Sequence, residues 1–223
     1  DEVVTGMMQR DKRDPIGYIP TGTTNDFANS LHIPKGLLRA ADNAVNGTLF
    51  PCDVGKFNDD IFVYIAAFGL FTDVSYQTKQ EMKNVLGHLA YVLEGTKRLF
   101  NIPSYHIKIT HDGETIEDDF VFGMVTNTRS VGGFKGLVNQ SVSLNDGVFE
   151  VLLIRMPKTP LDLSNIISYM FLVEEPNEYV YKFKASAIHF TSEESVDWVL
   201  DGEYGGARTE VTIENLRERI PFL

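Results

Sequence analysis

Apolar positions recur at helical spacing in the first fifty residues of the chain. Their spacing predicts the end of a helix over residues 2–9 and a second helix over residues 36–46. The second helix has a predicted buried stripe formed by Leu37, Leu38, Ala41 and Val45. Between the two helices lies a short apolar, strand-like run at 16–20. Alternating strand and helix are typical of an α/β layer, and because one strand cannot make a sheet, the rest of that layer is expected outside this chain.

From residue 48 onward the pattern changes, because apolar and polar positions alternate over short stretches. A helical interlude is predicted at 85–100, closed by Pro103, and another helix is predicted to begin at Thr159–Pro160. Turn residues at 58–60 separate the first two strands. Strands are predicted at 50–57, 61–69, 105–109, 120–126, 149–155, 179–184, 187–191, 196–200 and 210–213. This second part is therefore predicted to be mostly β, as a sandwich with a few attached helices.

Composition narrows the function classes. The net charge of −11 disfavours wholesale binding to nucleic acid. The longest apolar run, at 61–71, is far shorter than the ~20 residues that a membrane-spanning helix needs. The single cysteine, Cys52, excludes an internal disulfide and fits a reducing compartment. These bounds predict a cytoplasmic globular protein without a nucleic-acid partner.

A turn rich in glycine and threonine follows the run at 16–20, and a short helix is predicted to begin at Asn25 or Asp26. Unpaired backbone N–H groups and the positive end of a helix dipole point at such a turn, and the hydroxyl of Thr23 is within reach of a phosphate there. The order of strand, small-residue turn and helix thus predicts an anion site that includes Gly22. An ordinary loop, capped by Asn25 or Asp26, is the alternative that the pattern leaves open.

Three Asp-Gly pairs lie further along the chain, at 112–113, 146–147 and 201–202. Asp-Gly is a common hairpin-turn dipeptide, and the pair at 112–113 is predicted to be a plain turn between two strands. The pair at 201–202 follows a buried-looking strand and precedes Glu203. In an extended chain the carboxylates of Asp201 and Glu203 would face the same way, so they could hold a metal or supply a general base.

Five segments, in family order, resemble the signature motifs of the bacterial diacylglycerol kinase and related lipid kinase family. The turn PTGTTNDFA is close to the GT-x-N-D-F-A signature, CDVGK resembles the D-x-G strand, and TN followed by VGGF is similar to the S-N-x(4-5)-G-G loop. NDGV and DGE match two further turns. These segments lie at 20–28, 52–56, 126–134, 145–148 and 201–203.

The resemblance implies a fold of class α/β plus β. An incomplete Rossmann-like N-terminal domain, the remnant at 1–49, would be followed by a β-sandwich C-terminal domain with attached helices at 50–223. The family's G-G-D-G-T phosphate loop would lie just upstream of the helix at 2–9. On that expectation the chain by itself is inactive and the parent protein is active.

The resemblance also implies residue roles in a cleft that binds ATP. Thr23, in the turn with Gly22 and Asn25, would contact ATP. Asp26 and Asp53 would belong to an acidic network linked to Mg²⁺ and water near the phosphates. Glu203 would be the general base and Asp201 would support it.

A structural Mg²⁺ is the second metal feature that the resemblance implies. It would be held by the carboxylate of Asp146 and by the backbone carbonyls of Ser143 and Val148. Ligation by oxygen atoms alone is what a hard cation prefers.

The implied activity is that of an ATP-dependent lipid kinase that transfers the γ-phosphate to the hydroxyl of diacylglycerol or a similar lipid alcohol, with ATP and Mg²⁺ as cofactors. A cytoplasmic protein acting on a lipid is expected to contact the membrane peripherally, and edge strands of the sandwich could pair in a homodimer. Two alternatives stay open: a non-catalytic lipid- or partner-binding module of the same fold, and an NAD-kinase-like enzyme.

Overall fold

A computed structural model describes residues 2–22, 24–70, 72, 103–131, 142–172 and 178–223 of the chain. The helices are α1 (Glu2–Met8), α2 (Asp26–Ser30), α3 (Leu37–Asn46) and α4 (Pro160–Leu172). The strands are β1 (Phe50–Phe57), β2 (Asp60–Phe62), β3 (Ile65–Gly69), β4 (Tyr105–His111), β5 (Glu114–Thr126), β6 (Phe149–Arg155), β7 (Val180–Ala185), β8 (Ala187–Leu200) and β9 (Glu203–Phe222). The expectation that the larger part of the chain is mostly β is confirmed.

The described strands form one antiparallel sheet in the order β2-β1-β9-β8-β3-β5-β6-β7, with β4 pairing to both β5 and β8. β3 and β4 lie end to end between the two long strands, because β3 pairs with the second half of β8 and β4 with its first half. Within the described ranges this is a single sheet rather than two separate ones. The sandwich and the Rossmann-like N-terminal half therefore stay predictions, and so does the domain boundary between residues 49 and 50.

The two faces of the sheet bury different cores. On one face Trp198 makes edge-on contacts with Phe57, Phe68 and Phe190, with ring centroids 5.1, 4.9 and 5.1 Å apart. Such tilted pairs stabilise a core beyond the area that they bury. On the other face α4 packs the side chains of Leu163, Ile166 and Tyr169 against β3, β5 and β6. The sheet thus has apolar packing on both sides.

The N-terminal segment packs against the edge of the same sheet. Ile16 forms an isolated parallel bridge with Phe222: the N–H of Ile16 donates to the carbonyl of Pro221 at 2.9 Å, and the N–H of Leu223 donates to the carbonyl of Ile16 at 3.0 Å. The ring of Phe27 meets that of Phe222 at 5.3 Å. The run at 16–20, which was expected to be strand-like, therefore forms a single β-bridge, and this bridge brings α2 next to the sheet.

The helix at α3 is confirmed, but its predicted buried stripe is wrong. Leu37, Leu38 and Val45 are 67%, 87% and 75% exposed, whereas Ala40 is buried. The reason is close packing: a Cβ on Gly17 would lie only 2.4 Å from the carbonyl oxygen of Ala44. The face of α3 with small side chains allows this backbone approach, so the small residues pack inward and the larger apolar ones lie outside.

Several strands differ in length from the prediction. The strand predicted at 61–69 is split into β2 and β3, and the two predicted at 187–191 and 196–200 join in β8 with a register shift between Thr191 and Val196. β9 is 20 residues long, far longer than the predicted 210–213. The helix predicted at 85–100 lies outside the described residues. Among the described helices, none has the length and apolar character to cross a membrane.

Candidate active site

The break between β2 and β3 is held open by the carboxylate of Asp201. Its Oδ2 accepts the N–H of Val63 at 2.7 Å, and its Oδ1 accepts the N–H groups of Tyr64 and Ile65 at 2.7 and 2.8 Å. The N–H of Asp201 in turn donates to the carbonyl of Ile65 at 2.8 Å. Burial raises the pKa of the Asp201 carboxyl from its ordinary value, and the three backbone N–H donors oppose that rise. The strand splits here because Asp201 replaces the ladder partners of these N–H groups.

The backbone at 201–202 is a hairpin turn, so the expectation of an extended chain with two carboxylates facing the same way is wrong. Asp201 and Gly202 both have positive φ, 51° and 95°, which is the requirement of a type I′ turn. The turn sends the Asp201 carboxylate toward the β2–β3 break. Glu203 begins β9 and is exposed. The described contacts of Asp201 are to backbone, so any support that it gives to Glu203 acts through the shape of the hairpin.

Tyr64, in the β2–β3 break, connects this hairpin to α2. Its hydroxyl donates to Oδ2 of Asp26 at 3.0 Å, and the hydroxyl of Ser130 donates to Oδ1 of the same carboxylate at 2.5 Å. The carbonyl of Tyr64 accepts the hydroxyl of Thr126 at 2.7 Å and the N–H of Asn127 at 3.1 Å. Asp26 is only 7% exposed. The carboxylate of the first residue of α2 is therefore bound to two distant parts of the chain, and Tyr64 extends the connection to the end of β5.

A second set of contacts docks α2 onto the segment after β5. The hydroxyls of Ser30 and Thr128 lie 2.7 Å apart, and the N–H of Arg129 donates to the Ser30 hydroxyl at 3.0 Å. Ser30 and Thr128 are both buried. Buried hydroxyls that find partners cost little, so these bonds fix the orientation of α2 and hence of Asp26.

The turn before α2 has its own internal bonds. Asn25 has positive φ, 52°, and its side-chain amide donates to the carbonyl of Gly22 at 2.5 Å, while the amide of Asn29 donates to the carbonyl of Thr24 at 3.1 Å. The side chain of Asn25 makes no capping bond to α2. Thr23, the predicted ATP contact, lies outside the described residues. The anion site in this turn stays a prediction.

Asp53 is fully buried in β1, and both of its carboxylate oxygens accept backbone N–H groups. Oδ2 accepts from Gly147 and Oδ1 from Glu218, each at 2.7 Å. The strand register shifts between Cys52 and Val54, and Glu218 has positive φ, so the carboxylate satisfies N–H groups at an irregular part of the ladder. The described contacts of Asp53 thus hold a loop and a strand rather than facing a ligand.

Asn127 joins the Asp53 region to Tyr64. Its side-chain amide donates to the carbonyls of Asp53 and Leu144 at 3.2 and 3.3 Å, and its backbone N–H donates to Tyr64. Asn127 is completely buried, and its Oδ1 atom has no hydrogen-bond partner within the described part of the chain. Asp26, Asp53 and Asp201 are therefore linked through Tyr64 and Asn127 into one connected network.

The loop of the predicted structural metal is anchored by Asp53 through Gly147. Oδ1 of Asp146 accepts the N–H of Val148 at 3.3 Å, and the hydroxyl of Ser143 donates to Oδ1 of Asn145 at 2.8 Å. Gly147 has positive φ, 83°. One partly exposed carboxylate and nearby backbone carbonyls are oxygen donors that suit Mg²⁺, which usually keeps several of its waters. The described residues contain no group of three or more His, Cys, Asp or Glu side chains that could hold a metal.

A lysine lies beside the same carboxylate. Nζ of Lys184 lies 3.5 Å from Oδ2 of Asp146 and 2.9 Å from Oε1 of the buried Glu150. Burial raises the pKa of the Glu150 carboxyl, and the ammonium of Lys184 opposes that rise. The hydrogen bond to Glu150 in turn raises the pKa of Lys184. A cation that bound Asp146 would therefore compete with Lys184.

Glu203 lies in the wall of a cavity of about 370 Å³. Apolar side chains, polar side chains and glycine backbone share the wall, which is lined by Thr5, Asp59, Asp60, Ile61, Leu200, Glu203, Tyr204, Gly205, Gly206 and Arg208. Nη2 of Arg208 lies 3.8 Å from Oδ2 of Asp60. The wall of this cavity therefore combines the carboxylate of Glu203 with apolar contact area.

The structure thus brings together some of the predicted residues and not others. Asp26, Asp53 and Asp201 share one network, and Gly147 places the Asp146 loop at its end. Glu203 is close to the network in sequence, but its side chain lines the cavity. Sequence reasoning missed Tyr64. The available signal was a hydroxyl-bearing side chain inside the otherwise apolar run at 61–71.

Comparison with known proteins gives consistent matches. Residues 1–57 match the family model described as diacylglycerol kinase catalytic domain. The chain is 36% identical over 208 residues to the diacylglycerol kinase of Bacillus subtilis (strain 168), which covers 92% of this chain and 68% of that protein. It is 32% identical over 222 residues to the diacylglycerol kinase of Staphylococcus carnosus (strain TM300), covering 99% and 71%. A crystal structure of a diacylglycerol kinase from Bacillus anthracis str. Sterne matches with a TM-score of 0.71 at 25% identity, over 99% of this chain and 71% of that one.

Proposed function

Because the chain belongs to the bacterial diacylglycerol kinase family and is a lipid kinase, we propose that it transfers the γ-phosphate of ATP to the hydroxyl of diacylglycerol or a similar lipid alcohol. One observation carries this proposal beyond the family relationship. Helix α2, which begins at Asp26 directly after the glycine- and threonine-rich turn, and the hairpin that contains Glu203 meet at a single residue, Tyr64, although they are far apart in the chain. A nucleotide-binding turn and a general base must be neighbours for such a transfer.

Glu203 is proposed as the general base. As the lipid hydroxyl oxygen forms a bond to the γ-phosphorus, its proton passes to the Glu203 carboxylate, the bond from that phosphorus to the bridging oxygen breaks, and ADP leaves. Glu203 is exposed and lines the cavity, so a lipid headgroup can reach it. Ile61, Leu200 and Tyr204 in the same wall supply apolar contact for the glycerol and the first part of the acyl chains.

Mg²⁺ is proposed as the cofactor that neutralises the phosphate charges. Without a cation, the carboxylates of the site would repel the phosphates of ATP, so a metal ion is needed for ATP to bind. Asp26 suits this role because the hydroxyls of Tyr64 and Ser130, which hold its carboxylate, are neutral donors. Asp53 suits it less, since its described contacts are two backbone N–H groups, and we propose that it acts by holding the loop at 143–148. Asp146, with the carbonyls of Ser143 and Val148, would hold the structural Mg²⁺.

We propose that the protein contacts the membrane peripherally. We also propose that edge strands pair in a homodimer. The side chain of Tyr204 is 67% exposed beside the cavity, where it could contact a lipid surface. The alternatives of a non-catalytic module and of an NAD-kinase-like enzyme gain no support from the relatives reported above, which are described as diacylglycerol kinases.

The test is transfer of radiolabelled γ-phosphate from ATP to diacylglycerol in mixed micelles by the full-length protein. Wild type is compared with E203Q and with the matched control E210Q, which changes a carboxylate elsewhere on β9. We expect wild type and E210Q to transfer phosphate and E203Q to lose activity by roughly 10²- to 10⁴-fold, the usual contribution of a general base. Absence of transfer to any lipid alcohol by wild type would refute the kinase proposal. Full activity of E203Q would refute only the assignment of the base.

A further inference from the structure

We propose that Tyr64 is a positioning residue of this site: its hydroxyl orients the Asp26 carboxylate for the Mg²⁺-bound nucleotide, and its backbone ties that orientation to the hairpin of Glu203. The inference rests on the proposed function and adds a residue to it. Asp201 accepts the N–H of Tyr64 at 2.7 Å, and the hydroxyl of Tyr64 reaches Asp26 at 3.0 Å.

The backbone of Tyr64 is fixed on both sides, which makes the position of its ring well defined. Its N–H is bound by the Asp201 carboxylate, and its carbonyl accepts both the Thr126 hydroxyl and the Asn127 N–H. A residue in a regular strand would have its N–H and carbonyl in the ladder. Here the ladder is interrupted, so the phenol points out of the break and across to α2 instead of lying in line with β3.

The bonds to Asp26 suit a ligand-binding carboxylate. An ionised carboxylate offers about four lone-pair directions, and the hydroxyls of Tyr64 and Ser130 use one on each oxygen. Because hydroxyl donors are neutral, they fix the plane of the carboxylate without cancelling its charge, whereas an arginine or lysine in the same place would weaken its attraction for a cation.

The ring of Tyr64 has a separate packing role, which allows the hydroxyl to be tested alone. Tyr64 is partly buried and packs against the core on the α4 face of the sheet. The variant Y64F keeps that packing and removes only the oxygen. Y181F is the matched control, because Tyr181 is also a partly buried tyrosine of the sheet, packed edge-on against Phe120 at 6.0 Å.

The experiment measures steady-state transfer by the full-length protein at varied MgATP and varied diacylglycerol, calorimetric binding of MgATP without lipid, and the thermal midpoint of unfolding. We expect Y64F to lose roughly 10- to 100-fold in kcat/KM for MgATP, the loss typical of one hydrogen bond to a charged group. Its KM for diacylglycerol should stay close to that of wild type, and its thermal midpoint should fall only by the amount that the loss of one buried hydrogen bond causes, so that the variant is folded in the assay. S130A, which removes the other hydroxyl, should shift MgATP binding in the same direction, and Y181F should match wild type.

Two results would overturn the inference while leaving the kinase proposal intact. One is kcat/KM for MgATP in Y64F within about twofold of wild type. The other is an equal loss toward MgATP and diacylglycerol together with a lowered midpoint, which indicates a structural role only. Absence of transfer by every variant, wild type included, overturns the kinase proposal itself and the inference with it, so the two failures are distinguishable.

Discussion

Two Asp-Gly turns in this molecule have the same backbone conformation, but the aspartate side chain of one faces solvent and that of the other binds a distant segment. Asp112–Gly113 joins β4 to β5 with φ values of 47° and 82°, and Asp201–Gly202 joins β8 to β9 with 51° and 95°. The side chain of Asp112 is 60% exposed and lies 3.5 Å from Nδ1 of the adjacent His111. The carboxylate of Asp201 accepts three backbone N–H groups from the β2–β3 break. The dipeptide fixes the turn in both places, but only the second turn organises a distant segment.

The largest difference is expected when each aspartate is replaced by alanine. Both variants place alanine at positive φ, which costs about 1 kcal/mol in each turn. D201A in addition leaves three N–H groups without their acceptor, so we expect it to reduce the free energy of unfolding by about 3 kcal/mol more than D112A does. Denaturant unfolding of the two variants and wild type measures this difference. Equal losses would show that the Asp201 bonds add nothing beyond the turn.

Replacing the glycine of either turn by alanine is expected to destabilise the protein less, and by the same amount in both turns. A Cβ on Gly113 or on Gly202 would meet no atom within 4 Å, so neither substitution creates a clash. G113A and G202A should each lower the free energy of unfolding by about 1–2 kcal/mol, because alanine is strained at positive φ. Matching losses would support the view that the two turns differ only in their aspartates. A loss in G202A several times that of G113A would instead indicate that the second hairpin is strained in the backbone.

The smallest effect on stability is expected from replacing His106, which lies in the exposed β4–β5 hairpin, because its polar contacts face solvent. The hydrogen bonds of His106 to Asp119 and, next, to Glu117 raise the pKa of its imidazole. Its contribution to stability is therefore fully present below the ordinary pKa of 6.5 and is lost as the pH rises through the raised value. H106Q should be less stable than wild type at about pH 5.5 and equal to it at about pH 9. Denaturant midpoints at both pH values test this, and a difference that grows with pH would contradict it.

Local patterns predicted the first hairpin with its turn. At the second hairpin they predicted an extended chain at 201–203 and only the segment 210–213 of β9. The turn at Asp112–Gly113, the strand β1 and the helices α1 and α3 follow from turn chemistry and periodicity, which depend on neighbouring residues. The partner of the Asp201 carboxylate depends on where β2 and β3 arrive in the sheet, so local sequence favoured a carboxylate pair with Glu203 instead. The exposed face of α3 has the same origin, because the approach of Gly17 to Ala44 selects the small residues for packing.

In the candidate site, too, local sequence patterns identified residues but not the contacts that join them. The motifs identified Asp26, Asp53 and Asp201 as residues of one region, and the structure links them in one network. Their common link, Tyr64, belongs to none of these motifs, because its contacts depend on the break between β2 and β3. Residues that hold other residues in place are hard to find from sequence because their partners are distant in the chain.

The most direct test of the difference between the two turns is the rate of phosphate transfer from ATP to diacylglycerol by the full-length variants D201N and D112N. The rate is measured at a temperature at which both variants are folded. We expect D112N to match wild type. We expect D201N to lose at least about tenfold, because its NH₂ group cannot accept an N–H. At the Oδ2 position this group would face the N–H of Val63, and at the Oδ1 position it would face those of Tyr64 and Ile65. Either orientation disturbs the β2–β3 break that positions Tyr64 and, through it, Asp26. A folded D201N that transfers phosphate as fast as D112N would contradict the claim that the Asp201 turn organises the site.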